Sequence, residues 1–371
     1  MASFFVVVDP ALAAYKFSDT HPLHPIRVLN TYAMATELLE HPSVTVSPVA
    51  AEVSSTMLEQ VHTSDYINAV QAAGGGVVNG QYGLGSLDVP VFENMHEAAV
   101  NVCQATLTAT QAVANGDYVH AINVGGGLHH AMPSKASGFC VYNDIAVSIQ
   151  WLLDNGYERI AYIDIDAHHG DGVQAVFYDD PRVLTFSIHE SGKTLFPGTG
   201  AIHESGTVGA HGRSINIPVP ANTSDSEWLR AITSVLPEVL REFDPQMIFS
   251  QHGCDSHRDD PLTNLNITID GQLKAHELIH QYAHDFASGN WIAVGGGGYD
   301  LHNVVPKTWT NLLAVATHQP EKATHSDGVE VKWKSFSSGW NPESEIDRII
   351  MQVRKEIFPT FGLPADPNAA F

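Results

Sequence analysis

Cysteine is scarce in this chain. Cys103, Cys140 and Cys254 are three thiols in 371 residues, an odd number at spacings that build no disulfide framework. A disulfide-stapled scaffold is excluded, and a reducing compartment is implied. Long apolar runs are missing too: none approaches the length of a membrane span. The apolar amino terminus, Met1 to Asp9, is short, carries no basic leader, and reads as a first strand rather than a signal peptide. The expectation is a cytoplasmic protein with no membrane partner. Basic residues are few, 18 Lys and Arg against 41 Asp and Glu, for a formal net charge of -23. Such a surface repels nucleic acid and anionic membranes and attracts cationic ligands, although it also fits a protein that is merely soluble. No internal repeat, low-complexity tract or Pro/Gly-rich linker divides the chain, which predicts one domain over residues 1–371.

What is present is a regular alternation of short apolar runs and amphipathic segments. Strands are predicted at the amino terminus, at Val119 to Val124, from Ile160, at Val183 to His189, Ser214 to Val219, Met247 to Gln251 and Trp291 to Val294. Helices are predicted between them over Val28 to Leu39, Ser55 to Ala72, Asn94 to Ala114, Asn143 to Leu153, Asp225 to Glu242 and Gly271 to Ala287. Two more, Lys307 to Thr317 and Glu343 to Ile357, finish the chain. The alternation defines an α/β fold with a mostly parallel sheet flanked by helices.

The strand beginning at Ile160 runs into the stretch Tyr162 to Gly172, where three aspartates and two histidines fall within eight residues. Side chains repeat every two residues along an extended backbone, so Asp164, Asp166 and His168 are expected on one side. A solvated acidic loop is the plain alternative. Against it, three further strand ends carry functional groups: His129 and His130 after a triple glycine, Asp255 after Gln251, and Tyr299 after four glycines. In parallel sheets ligand sites gather beyond the carboxyl ends of strands. Asp166, His168 and Asp255 supply one nitrogen and two oxygens with a position left over, the pattern of catalytic zinc; the oxygen-rich set also suits Fe(II), Mn(II) or Co(II). His129 and His130 are candidates for acid–base work, because imidazole titrates near neutrality, and Asp164 and Asp171 are spare carboxylates able to orient them. A His-His pair alone is more often structural; beside a metal set the balance reverses. Tyr299 has the phenol needed to stabilise an oxyanion. A phosphate-cradling reading of its glycine loop lacks the Lys-Ser/Thr that should follow. Phe139 and Phe196 lie in Gly-bearing loops and together would wall a narrow slot, although each alone fits simple packing. His169 has no role in this scheme.

Taken together, these residues resemble the zinc-dependent histone deacetylases, in particular their bacterial acetoin-utilisation relatives. The matching stretches are His21-Pro22-Leu23 with Arg27, Val61 to Ile67, Gly126 to Ala131, Gly138-Phe139-Cys140, Tyr162 to Gly172, Phe196 to Gly200, Gln251 to Asp255 and Gly295 to Tyr299. The resemblance implies the arginase–deacetylase fold, an eight-stranded sheet in one domain. It implies zinc on Asp166, His168 and Asp255, with His130 as principal general base and acid paired with Asp171. His129, paired with Asp164, would assist electrostatically, and Tyr299 would polarise the amide carbonyl. Gly138, Phe139, Phe196 and Gly297 would line the acyl-lysine tunnel, Asp88 would hold substrate backbone at the rim, and Arg27 would sit deep, near the acetate exit. A structural potassium is implied on Asp164, Asp166, His168, Ser187 and Ile188.

The expected activity is metal-dependent hydrolysis of N-acetyl-lysine in a protein or peptide. An acetylpolyamine or other N-acyl-amine substrate is the alternative; polyamine selectivity would need acidic residues at the tunnel mouth and a constricting loop or dimer, so a homo-oligomer stays open. A binuclear ureohydrolase would need another carboxylate where Ser256 and His257 stand. A silent acyl-lysine binding module would have lost a ligand or Tyr299, and all are present.

Overall fold

The computed structural model describes residues 3–336 and 339–366. Among them, eight short segments pair as strands: β1 (Phe4–Val7), β2 (Val44–Ser47), β3 (His120–Asn123), β4 (Ile160–Asp164), β5 (Val183–Glu190), β6 (Ser214–Val219), β7 (Met247–Gln251) and β8 (Trp291–Val294). They form one sheet in the order β2-β1-β3-β8-β7-β4-β5-β6, and every pairing is parallel. Parallel neighbours need crossover connections, and helices supply them. In chain order these are α1 (Ile26–Met34), α2 (Thr36–Leu39), α3 (Ser55–Glu59), α4 (Ser64–Gly74), α5 (Met95–Ala114), α6 (Asp144–Asp154), α7 (Asp171–Phe177), α8 (Asp225–Phe243), α9 (Ile269–Phe286), α10 (Val304–Ala316) and α11 (Glu345–Ile357).

The helices cover both faces, so the central strands are apolar on both sides rather than alternating with polar residues. In β4, Ile160 and Tyr162 enter the core shared with α3 to α7, while Ala161 and Ile163 enter the core shared with α1, α2 and α8 to α11. In β7, Met247 and Phe249 face the first core and Ile248 the second. Burying each large side chain of this kind contributes roughly 1.5–3 kcal/mol, which keeps the strand ends in fixed register.

The structure departs from the predicted elements at four places. The expected helix over Ser55 to Ala72 breaks into α3 and α4, because His62 is drawn away to donate from Nδ1 to Met132 O (3.1 Å) and accept at Nε2 from Asn143 N (3.0 Å). Thr63 then takes an extended conformation (ψ 144°) as the N-cap of α4. The helix expected over Val28 to Leu39 likewise divides at Ala35 into α1 and α2. Two elements have no sequence counterpart. The edge strand β2 is half exposed and lacks a buried face, and α7 begins between Gly170 and Gly172, residues that read as loop.

Candidate active site

Strands β3, β8, β7 and β4 are neighbours at the centre of the sheet, and their carboxyl ends lie at one edge. The loops that follow them therefore meet. The loop after β3 is held from beneath by α5 and α6. The Asp144 carboxylate accepts from Gly127 N (3.0 Å), Leu128 N (2.7 Å) and Thr106 Oγ1 (2.6 Å), and Asn143 Nδ2 donates to His129 O (3.3 Å) and Ala131 O (3.1 Å). Two buried side chains thus fix, through four hydrogen bonds, a backbone that has no regular structure of its own, and it presents His129 and His130.

The two imidazoles are buried and face one another. His129 Nδ1 donates to Asp164 Oδ2 (2.7 Å), His130 Nδ1 donates to Asp171 Oδ1 (2.6 Å), and the Nε2 atoms lie 3.0 Å apart. Asp164 Oδ2 also accepts from the Tyr162 hydroxyl (2.6 Å), and Asp171 opens α7. Burial works against a charged His129, but Asp164 and Asp166 outweigh it and raise the pKa to about 9. Burial and the His129 charge lower the pKa of His130. The two imidazoles are thus shifted in opposite directions.

Asp166, His168 and Asp255 bring their ligand atoms within 4.8 Å of one another. His168 Nδ1 is 3.1 Å from Asp166 Oδ1 and 2.9 Å from Asp255 Oδ2. The opposite oxygens are already occupied: Asp166 Oδ2 accepts from Gln251 Nε2 (2.7 Å) and Gly297 N (2.8 Å), and Asp255 Oδ1 accepts from Ala167 N (2.9 Å). Strand alternation does not create this cluster, since β4 ends at Asp164. Two successive side-chain turns do so instead. Asp164 Oδ1 accepts from Asp166 N (3.1 Å) and Asp166 Oδ1 accepts from His168 N (2.9 Å). Asp164 consequently reaches His129 Nδ1, and Asp166 Oδ2 lies 3.9 Å from Nε2 of the same ring while its other oxygen faces His168.

Tyr299 follows the four glycines after β8. Arg27 Nη1 donates to Gly296 O (2.7 Å) and Gly298 O (3.1 Å), and Asp260 Oδ2 accepts from Tyr299 N (2.8 Å). Burial, with Asp255 and Asp166 nearby, keeps the Tyr299 phenol protonated by raising its pKa. Gly297 has no room for a side chain: a Cβ there would lie 2.1 Å from Asp255 Oδ2. At Gly138 (φ +53°) a Cβ would meet the His130 ring at 2.3 Å. The Phe139 ring packs edge-on against Tyr299 (5.7 Å), and Phe196 packs edge-on against His130 (5.1 Å) and His168 (6.3 Å). Asp88, at the rim, accepts at Oδ2 from Gly138 N (2.8 Å). His169 also has a position: Nδ1 lies 2.9 Å from Thr199 Oγ1 and Nε2 3.1 Å from Gln174 Oε1, which ties α7 to the Phe196 loop. His257 points elsewhere and pairs with Asp327 at 2.9 Å.

The supporting residues Asp144, Asn143, Asp260 and Gln251 were given no role by sequence reasoning. Their work is hydrogen bonding to segments far along the chain, and only the N-cap position of Asn143 before α6 left a local sign.

This arrangement on a wholly parallel sheet defines a class. Residues 21–316 match the histone deacetylase domain, and the chain belongs to that family of deacetylating hydrolases, with the arginase–deacetylase architecture. Within it, the chain is similar to the acetoin utilization protein AcuC of Bacillus subtilis (strain 168), at 46% identity over 352 residues that cover 92% of this chain and 90% of the relative. AcuC of Staphylococcus aureus (strain MSSA476) is 36% identical over 349 residues, covering 92% and 89%, and AcuC of Staphylococcus xylosus is 34% identical over 358 residues, covering 93% and 92%.

Proposed function

We propose that this chain hydrolyses the amide of N-acetyl-lysine in a protein or peptide, releasing lysine and acetate, with zinc as its metal. The observation that carries the reading is the junction of two sets of groups: a facing, carboxylate-oriented histidine pair and a converging Asp–His–Asp cluster, with the His130 and His168 rings 5.7 Å apart.

The donor set fits a divalent ion. Among the described residues, the Asp166 and Asp255 side chains are buried and pair with histidine, with no Lys or Arg against either. Burial and Asp166 raise the Asp255 pKa to about 6, and the two carboxylates hold His168 well above the usual imidazole range despite its burial. Without a cation the two carboxylates are balanced by a proton on His168, a proton that a divalent ion would replace, and the outer partners already hold each carboxylate in orientation. One nitrogen and two oxygens suit Zn2+, with Fe2+, Mn2+ or Co2+ also compatible. Such an ion supplies Lewis acidity toward a carbonyl and lowers the pKa of water.

The protein's own groups account for the proton movements. Asp171 holds the Nδ1 proton of His130, so Nε2 is its basic atom; it takes a proton from the attacking water and returns one to the departing amine. His129, oriented by Asp164, steadies the charge that develops beside it. The Tyr299 phenol donates to the carbonyl oxygen as that oxygen becomes negative. Phe139 and Phe196, with Gly138 and Gly297 letting the backbone approach His130 and Asp255, wall the channel for an acyl-lysine, and Asp88 takes substrate backbone at the rim. A structural K+ is assigned to β4 and β5, where Asp164 and Ser187 stand side by side. The Asp164 oxygens and Ser187 Oγ already have partners, so backbone oxygens at Asp164, Asp166, His168, Ser187 and Ile188 would be the main donors.

The test is Tyr299→Phe. It should keep its metal and lose about 10²–10³-fold in kcat on acetyl-lysine peptide; full activity would remove Tyr299 from the reaction. Comparing kcat/KM on that peptide with acetylpolyamines separates the proposed substrate from the alternative amines.

A further inference from the structure

The amino-terminal ends of the same strands, at the edge opposite the catalytic loops, carry a second concentration of imidazoles. His120 is the first residue of β3. His280 and His284 lie one turn apart on α9, a spacing that puts both on one face. His318 follows the end of α10 in a left-handed conformation (φ 55°). The Nε2 atoms of His280 and His318 are 2.9 Å apart, those of His280 and His284 3.1 Å, and those of His284 and His318 3.3 Å.

Hydrogen bonding alone does not account for this triangle. An N–H donor needs a lone pair nearly in line with it, and three nitrogens at the corners of a near-equilateral triangle cannot give each donor such a partner. Three imidazole nitrogens on one tetrahedral ion, with metal–nitrogen distances of about 2.0–2.1 Å, stand about 3.3 Å from one another. The observed separations lie at and just under that value. The fourth histidine supplies an independent observation. His120 is buried and its Nδ1 donates to Ala316 O at 2.7 Å, which fixes the tautomer and leaves Nε2 as a bare lone pair. That Nε2 is buried without a hydrogen-bond partner, and His120 belongs with the other three in a group whose ligand atoms lie within 4.8 Å of one another. A backbone carbonyl holding the far nitrogen is how metal-binding imidazoles are commonly oriented.

We propose that His280, His284 and His318, with His120 behind them, form a second divalent-metal site, separate from the catalytic cluster and selective for an ion that favours imidazole, Zn2+ or Ni2+. The set contains no oxygen ligand, which disfavours Mg2+ and Ca2+. His284 and His318 are exposed, so the ion has access from solvent. The bound ion joins α9 to the segment after α10 and to the start of β3, where the rings already pack: His120 lies 4.9 Å from His280 and 5.1 Å from His318. Its role is structural.

The experiment uses full-length chain without a polyhistidine tag, loaded with ZnCl2 or NiCl2, stripped of weakly held ions on a chelating resin, and analysed for metal per chain. His168→Ala removes a catalytic ligand and should retain one ion; His284→Ala, an exposed substitution, should also retain one; the combined variant should retain none, against two in the unsubstituted chain. Zn2+ or Ni2+ should raise the melting temperature of His168→Ala by several degrees and leave the combined variant unmoved. Retention of either ion supports the site. A His168→Ala chain that keeps neither ion, or a His284→Ala chain with undiminished stoichiometry, overturns it.

Discussion

The Nε2 atoms of His129 and His130 face each other at 3.0 Å, while their Nδ1 atoms reach different carboxylates, Asp164 and Asp171. The pair cannot carry two charges comfortably at that distance, and its surroundings decide which member is cationic. Asp164 and Asp166 hold His129 at about 9, and burial with the His129 charge depresses His130. His130→Ala should therefore lose about 10²–10⁴-fold in kcat, the scale of a lost general base, and His129→Ala less. His129→Ala also removes the cation that depresses His130. Because the base must be unprotonated, the acidic limb of kcat/KM should move to higher pH; an unmoved limb would contradict the division of labour.

Gly297→Ala should weaken metal binding. The added methyl would lie 2.1 Å from Asp255 Oδ2 and its neighbour Asp166 Oδ2 is 2.9 Å away, so both ligands must shift. A loss of about 10–100-fold in metal affinity is expected, on the scale seen when the partners of metal ligands are disturbed. Competition with a chromophoric chelator measures it, and excess metal should restore part of the activity.

Asp260 positions Tyr299 through the main chain. Its carboxyl accepts from Tyr299 N (2.8 Å) and Leu262 N (3.0 Å), and burial together with Asp255 pushes its pKa up to about 8. Both oxygens accept from main-chain N–H groups, and an amide offers only one acceptor. Asp260→Asn is therefore expected to lose part of its kcat and Asp260→Ala about 10²-fold, each with metal content intact, as for a misplaced catalytic group. An Asp260→Ala chain with undiminished kcat would remove the positioning role.

His62 gives a prediction for stability. Burial lowers its pKa from 6.5 to about 4 in the folded chain. Above pH 6.5 neither state is protonated there; between 6.5 and 4 only the unfolded chain takes up the proton. Stability is therefore lost as pH falls through that window, by up to about 3 kcal/mol from this residue. Urea unfolding at pH 7 and pH 5 should show a smaller pH-dependent loss in His62→Gln than in the unsubstituted chain, and an identical loss would assign the acid sensitivity elsewhere.

The central strands were legible because burial on both faces leaves an unbroken apolar run, as in Ile160 to Ile163 and Met247 to Phe249. The edge strand β2 was not, because Val44 and Val46 stay partly exposed and its polar neighbours mask the pattern. The break between α3 and α4 depends on what His62 touches at Met132 and Asn143, and no local signal announces it. In the site, the Asp–His–Asp cluster and the histidine pair stood out as unusual residues at strand ends. Their supports did not, since Asp144 serves amides 16 and 17 residues back and Asp260 one 39 residues ahead. The rear histidines are spread from His120 to His318, with only the His280–His284 spacing visible locally.

The order β3-β8-β7-β4 has a consequence for how the chain matures. Chain neighbours β3 and β4 are not sheet neighbours: β8 and β7, made more than eighty residues later, must slot between them. Contacts of such long range form late and slowly. A nascent chain carrying Asp166 and His168 still lacks Asp255, and one that has reached Asp255 still lacks the Gly297 amide that orients Asp166. The converging Asp–His–Asp cluster is thus complete only once the sheet has closed, and a chain ending before β8 would hold Asp166 without that amide.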